Sequence, residues 1–260
     1  MANKPTVSNT IPIILAAGKG ARMGSVKNKC LLNIEGKPLL EWTILTLKKL
    51  RFPKTIIVTR STDPAVEKFI DQTQYEGITV TQDPFFLGAG HGLFVGTFAI
   101  KKSEKCEYIL CLYGDDSFLY KAGTLFDFLS KLPQKSPLQI LTTKRKVIGT
   151  IGGLKRDQND LPNGFYTRTE LDKLNATTAE IVCGAFLFNF DWLKRHFHKI
   201  AKNKKSGELL LTSLIQVAHD ENTPVSVFEL TDPKEWCGVN TPDELKQAKA
   251  LKKEQLINEL

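Results

Sequence analysis

Long apolar runs are missing from this chain. None of its 260 residues belongs to a stretch long enough to cross a membrane, so no membrane partner is expected. The opening MANKPTVSNT has no apolar core of a signal peptide, which makes the cytoplasm the expected location. Cysteine is scarce: Cys30, Cys106, Cys111, Cys183 and Cys237 are odd in number and form no C-x-x-C pair. That excludes a disulfide framework, argues against zinc, and predicts free thiols in a reducing compartment. Acid is also in deficit, with 28 Asp and Glu against 36 Lys and Arg and a net charge of +8. Much of the excess lysine sits in residues 202–205 and 246–253, where it reads as solvated surface. No basic and aromatic interleaving accompanies it, so no nucleic-acid partner is expected; part of the excess suits anionic small substrates.

What is present is a core. The chain is 42% hydrophobic, enough for one large α/β domain. Strand-like and helix-like stretches alternate. Strands are predicted over residues 11–16, 54–59, 78–81, 107–113, 138–143, 180–189 and 225–230, with a turn and strand over 163–171. Helices are predicted over 38–50, 63–73, 93–101, 124–132 and 191–203, from 207, and from Pro242 with Thr241 as its cap. Such alternation predicts a mostly parallel sheet with helices on both faces.

The most informative stretch is residues 11–31, IPIILAAGKGARMGSVKNKCL. An apolar strand leads into a loop with Gly18, Gly20 and Gly24, followed by Arg22, Lys27 and Lys29. Glycines let backbone N–H groups approach a ligand, and the cations neutralise an anion held there, so the stretch reads as a phosphate-binding loop. It is not a P-loop, because G-x-x-x-x-G-K-[ST] is absent. Nor is it a dinucleotide fingerprint: Gly24 comes one residue late, and the second strand ends at Thr59-Arg60 without an acid for the ribose. Further on, Asp115 and Asp116 follow a strong strand. Ligands of open α/β sheets bind at that end, where a hard carboxylate is placed to hold Mg²⁺.

Leu15-Ala16-Ala17-Gly18-Lys19-Gly20-Ala21-Arg22-Met23, then Asn28-Lys29-Cys30-Leu31, resembles the signature L-A-A-G-x-G-[TS]-R-M … P-K-x-L of the sugar-nucleotide pyrophosphorylases, or NTP transferases. Leu87-Gly88-Ala89-Gly90-His91, Leu112-Tyr113-Gly114-Asp115 and Gly238-Val239-Asn240 resemble, in order, the L-G-T-G-H, L-Y-G-D and G-V-N segments of the N-acetylglucosamine-1-phosphate uridylyltransferase domain. The resemblance runs from residue 11 to about residue 251. It implies a single nucleotidyltransferase domain over 1–260, Rossmann-like, with a nucleotide-binding half at about 11–120 and a sugar-binding half at about 121–251. The implied reaction makes an NDP-sugar and pyrophosphate from an NTP, with UTP as the first choice, and a sugar 1-phosphate.

The implied roles follow motif by motif. Arg22 stabilises the leaving pyrophosphate, Lys29 bridges phosphate oxygens, and Asp115 and Asn240 hold Mg²⁺. Leu15, Ala16, Ala17, Gly18, Gly20, Lys29, Gln82, Gly88, Ala89, Tyr113 and Gly114 hold the nucleotide. Gly152, Glu170 and Val182 lie at the sugar. His91 is expected to be a structural hydrogen-bonder, since the transfer needs no acid or base there. Four departures stand out: Asn28 for proline, Asp116 for an apolar residue, Val182 for the asparagine of E-I-N-[TS]-G, and Ser213 for aspartate. Asn28, Val182 and Ser213 keep a second reading in view, a nucleotide-sugar-binding sensor without turnover. The hexapeptide repeats that follow this domain in bifunctional members are absent, so no acetyltransferase half is expected. Oligomeric state is not legible.

Overall fold

The structure is a computed structural model that describes residues 3–18, 28–73, 75, 77–82, 87–147 and 152–259. The first half contains β1 (Thr10–Leu15), a two-residue-arm hairpin of β2 (Asn33–Ile34) and β3 (Lys37–Pro38), α1 (Leu39–Leu50), β4 (Ile56–Thr59), α2 (Ala65–Gln72) and β5 (Ile78–Thr81). Then come α3 (Gly88–Thr97), β6 (Tyr108–Tyr113), α4 (Ala122–Ser130), β7 (Leu138–Lys146), β8 (Gly153–Arg156), β9 (Pro162–Tyr166) and α5 (Arg168–Lys173). The chain continues with β10 (Thr178–Asn189), α6 (Phe190–His196), α7 (Ser213–Asp220), β11 (Val225–Glu229) and α8 (Pro242–Asn258).

Seven strands form one sheet in the order β11-β7-β10-β6-β1-β4-β5. β1 pairs in parallel with β4 and β6, β4 with β5, and β7 with β11. Only β10 runs against its neighbours, antiparallel to both β6 and β7. This is the mostly parallel, Rossmann-like α/β sheet that the alternation of strands and helices predicts.

Alternation within the strands explains why both faces are covered. Ile14, Ile57, Leu110 and Leu112 project into one core with Leu40 and Ile44 of α1, Val66 of α2, and Leu125 and Phe128 of α4. Their neighbours Ile13, Ile56, Val58, Ile109 and Cys111 project into the other, with Leu93 of α3, Leu193 of α6 and Leu214 and Ile215 of α7. Strands buried on both sides read as continuous apolar runs, the pattern of central parallel strands. A third, smaller cluster packs Ile34, Leu39, Phe118, Val239 and Ala248 beneath α8.

Three expectations are corrected. The glycine-rich stretch 88–92 is not a turn before a helix at 93; it is the first half of α3. Glycine allows close approach at both ends of α3: a Cβ at Gly90 would stand 2.9 Å from Leu209 O. A Cβ at Gly96 would stand 2.8 Å from Ile13 Cγ2 and 3.1 Å from Val58 Cγ2, so α3 lies directly on the sheet. Residues 207–212 do not open a helix either. Leu209 N donates to Leu87 O at 2.7 Å and Gly90 N to Leu209 O at 2.9 Å, which ties this segment to the start of α3 and delays α7 to Ser213. Finally, the strand expected over 163–171 ends at Tyr166, and residues 168–173 are helical.

Candidate functional site

The strand order reverses at β1: β4 and β5 lie on one side and β6 on the other. Open α/β sheets bind ligands at such a point, off the carboxyl ends of the strands. Here those ends deliver residues 16–18 from β1 and 114–116 from β6. Gly114 N donates to Leu15 O at 3.0 Å, so the two exits stay in register.

Lys29 follows within a few residues of the loop. Asn28, 2% exposed, fixes that return: its Nδ2 donates to Ala16 O at 3.0 Å and its Oδ1 accepts from Cys30 N at 3.0 Å. Its φ of −56° is the value a proline ring imposes. The substitution therefore keeps the backbone shape and adds two hydrogen bonds.

Lys29 Nζ donates to Asn240 Oδ1 at 2.9 Å and forms an ion pair with Asp115. Burial opposes the charge on this ammonium, but the Asp115 carboxylate, by its charge and hydrogen bond, outweighs burial and raises the pKa. Asn240 is held in turn by the start of α8. Its N–H donates to Glu244 Oε2 at 2.5 Å, and Thr241 and Glu244 form a reciprocal capping box. Two oxygens 125 positions apart in the chain thus converge on one cation. Among the described residues no group of three or more His, Cys, Asp or Glu is placed to hold a metal. One carboxylate and one amide oxygen are hard donors of the kind Mg²⁺ takes when it shares its coordination with phosphates and water, and they fit that ion.

Two cavities meet at this point. One, of about 170 Å³, is lined by Leu15, Ala17, Gly18, Gln82, Gly88, Ala89, Gly92, Tyr113 and Asp115. The other, of about 320 Å³, is lined by Lys29, Tyr113, Asp115, Asp116, Gly152, Phe165, Ile181, Val182, Trp236, Gly238, Val239 and Asn240. Tyr113 and Asp115 border both. In the first, Gln82 is buried, with Nε2 donating to Gly88 O at 3.1 Å and lying 2.8 Å from Nδ1 of His91. His91 thereby braces the start of α3, and burial lowers its pKa, favouring the neutral ring.

The expected site residues are distributed unevenly. Lys29, Asp115 and Asn240 are brought together, Gly152 and Val182 line the larger cavity, and Leu15, Ala17, Gly18, Gln82, Gly88, Ala89 and Tyr113 line the smaller. Ala16 and Gly114 shape the strand exits from below. Gly20 and Arg22 lie outside the described residues. Glu170 is not brought to either cavity. It is exposed at the first turn of α5, where Oε2 accepts from Thr167 N and Oγ1, both at 2.7 Å. Its carboxylate caps a helix. Ser213 is likewise engaged elsewhere, its hydroxyl accepting from Ala201 N and donating to Leu210 O.

Cavity residues that the sequence reading missed include Phe165, Ile181, Trp236 and, as lining groups, Gly92 and Asp116. Trp236 stands just before the Gly238-Val239-Asn240 segment and could have been suspected from that position. Arg145 fixes it, with the guanidinium 5.7 Å from the ring centre and Nη2 donating to Trp236 O at 2.6 Å. Gly184, in the irregular part of β10, has φ +64°, and a Cβ there would lie 2.5 Å from Asp116 Oδ1. Burial first, then the charge of Asp115, push the Asp116 carboxyl well above the usual range.

A mostly parallel sheet whose strand reversal opens onto two cavities, with a carboxylate bordering both, is the architecture of an α/β domain that binds its ligand at the carboxyl ends of the strands. Residues 12–143, half of the chain, match the MobA-like NTP transferase domain, and the chain belongs to that family. It is 27% identical over 248 residues to the bifunctional protein GlmU of Hydrogenovibrio crunogenus, covering 95% of this chain and 53% of that one. The chain spans about half the length of the curated relatives it matches. Solved structures with the same fold include the inositol-1-phosphate CTP transferase from T. maritima, with TM-score 0.69, 18% identity and coverage of 95% of this chain and 96% of that one. Another is CMP:2-keto-3-deoxy-manno-octonic acid synthetase complexed with CTP, with TM-score 0.69, 16% identity and coverage of 95% and 100%.

Proposed function

We propose that the chain transfers a nucleotidyl group from an NTP, UTP by preference, to a sugar 1-phosphate, N-acetylglucosamine 1-phosphate or a related hexose 1-phosphate, with release of pyrophosphate. The observation that carries the reading is the position of Lys29 Nζ between Asp115 and Asn240, where a 170 Å³ and a 320 Å³ cavity meet. The smaller cavity suits the base and ribose, and the larger suits the acceptor. Phosphates would lie at their junction.

The acceptor's phosphate oxygen forms a bond to the α-phosphorus as the bond to pyrophosphate breaks in line. Such a transfer is carried mainly by positioning and charge neutralisation. Lys29 supplies a fixed cation to the phosphate oxygens, and Arg22 is assigned the leaving pyrophosphate. Asp115 and Asn240 would hold Mg²⁺, which supplies further charge stabilisation to the phosphates when bound. No protein nucleophile is required, and among the described residues none stands ready at the junction. The thiol of Cys30 is buried, and burial and Asp115 push its pKa well up, so it stays protonated. Gln82, Gly88 and Ala89 would read the base. The structural uses found for Asn28 and Ser213 remove two of the substitutions that favoured a sensor without turnover.

The test is a panel measuring pyrophosphate release with four NTPs against several sugar phosphates. UTP with a hexose 1-phosphate is expected to give Mg²⁺-dependent release. Tight nucleotide-sugar binding without release for any pair would replace the enzyme with the sensor.

A further inference from the structure

We propose that Arg145 positions the acceptor: from β7 it clamps the wall of the larger cavity that carries Trp236. The inference rests on the acceptor cavity assigned above. Two walls of that cavity hang from one strand. Ile181 and Val182 of β10 pair with Thr143 and Thr142 of β7. A few residues further along β7, Arg145 reaches the wall at Trp236 with its side chain.

The backbone of that wall is irregular. Residues 236–239 belong to no helix or strand, and among the described residues no backbone–backbone hydrogen bond reaches residues 236–240. Trp236 is extended, with φ −139° and ψ 139°, and Cys237 and Val239 are buried with Ala248 of α8. Side chains anchor the stretch at its two ends. Glu235 Oε2 accepts from Thr124 Oγ1 at 2.6 Å and from Lys121 N at 3.2 Å, and Asn240 N donates to Glu244 Oε2. Between those ends Arg145 Nη2 donates to Trp236 O at 2.6 Å, and the same nitrogen donates to Pro233 O upstream.

An arginine suits this task. Nη2 has two hydrogens, one for each carbonyl, while the guanidinium lies over the indole, 5.7 Å from the ring centre. Lysine would offer the charge without the planar fork. Among the described residues the hydrogen bonds of this side chain go to the wall, and its Nε is buried without an acceptor. Pinned at its backbone and covered on its ring, the indole keeps one place beside a bound acceptor, whereas Asn240 keeps its own through Glu244. Loosening Arg145 should therefore weaken the acceptor and spare the phosphate end.

Steady-state pyrophosphate release is measured with UTP against N-acetylglucosamine 1-phosphate and glucose 1-phosphate, and UTP binding by calorimetry. The proteins are wild type, Arg145→Lys, Trp236→Leu and the double variant, with Trp236→Phe closing the same cycle should Trp236→Leu not fold. Arg145→Lys should raise the acceptor KM about tenfold, with kcat and UTP affinity within about threefold of wild type. In the Trp236→Leu background the same change should add about twofold or less, since a residue that acts through the indole then has nothing to act on. Independently of turnover, the Trp236 indole N–H, assigned by NMR from its loss in the Trp236 variant, should exchange with solvent about tenfold faster in Arg145→Lys. Additive losses across the cycle would overturn the inference, as would an unmoved acceptor KM or unchanged indole exchange. Equal losses in acceptor and UTP affinity would reduce Arg145 to a stabilising residue and overturn it as well. No pyrophosphate release from wild type, together with faster indole exchange in Arg145→Lys, would remove the transferase reading and leave the clamp standing.

Discussion

Replacing Lys29 with methionine should tighten metal binding while it destroys turnover. In the protein without nucleotide the Lys29 ammonium already occupies the two oxygens assigned to the metal, at 2.9 Å from Asn240 Oδ1 and paired with Asp115. The pair is largely shielded, with Lys29 12% and Asp115 27% exposed, so solvent weakens it less than a surface pair. A divalent cation entering there must first displace a charge-assisted hydrogen bond worth about 1.5–3 kcal/mol. Lys29→Met removes that competitor and leaves the carboxylate uncompensated. Binding of Mn²⁺, followed by the loss of the free-ion EPR signal in the absence of nucleotide, should become about 10- to 100-fold tighter. Turnover should fall by about 100-fold or more, because a fixed cation at the reacting phosphates is gone. A folded variant, checked by circular dichroism, whose Mn²⁺ affinity is unchanged or weaker would show that Asp115 and Asn240 do not form a cation site.

Other outcomes are expected along the chain. Arg22→Lys keeps the charge but loses the planar fork, so pyrophosphate release should drop by about tenfold or more; unchanged kcat would make Arg22 a mere surface cation. Val182→Asn should raise kcat/KM for N-acetylglucosamine 1-phosphate relative to glucose 1-phosphate by about tenfold, and no change would remove Val182 from the sugar contacts. Gly96→Val places methyl groups against Ile13 and Val58 and should cost about 1–3 kcal/mol in chemical denaturation, with a value near zero arguing that α3 can lift off the sheet. His219 Nε2 lies 3.0 Å from Asp157 Oδ2, clasping the β8–β9 hairpin to α7; the Asp157 hydrogen bond, with a contribution from Asp220, raises the histidine pKa above its ordinary 6.5. The histidine's contribution is present below 6.5 and lost as pH rises through the raised value, while that of Asp157, whose pKa is lowered, is lost in acid. An NMR titration should find the His219 midpoint above 6.5 and lower it in Asp157→Asn; an unmoved midpoint would refute the clasp.

How far the sequence could be read depended on whether the deciding contacts were local. β5 was legible to the residue, and the central strands to within one or two, because burial on both faces writes continuous apolar runs. α3 was misread because the glycines of its first half answer to neighbours such as Leu209, at Gly90, and Gln82, at Gly92, which no local pattern reveals. Lys29, Asp115 and Asn240 were legible as motif residues, yet nothing in the spacing said that Lys29 would sit between the other two. Glu170 was misplaced although its use was visible, since Thr167-Arg168-Thr169-Glu170 is a capping-box pattern that predicts a helix start. Asp116 was noticed as a departure but not as a cavity wall, because Gly184 and Trp236, which give it that place, are far away in sequence.

The meeting of Lys29 and Asn240 also sets a clock on the protein's birth. They are 211 positions apart, and a ribosome adding about 5–20 residues per second needs roughly ten to forty seconds to travel from one to the other. Throughout that interval the emerging chain carries Lys29, and later Asp115, without the amide oxygen of Asn240. Loss of everything from residue 240 onward would leave the seven strands of the sheet intact in sequence and the chemistry incomplete. On the proposed scheme, activity would therefore be confined to chains synthesised past Asn240.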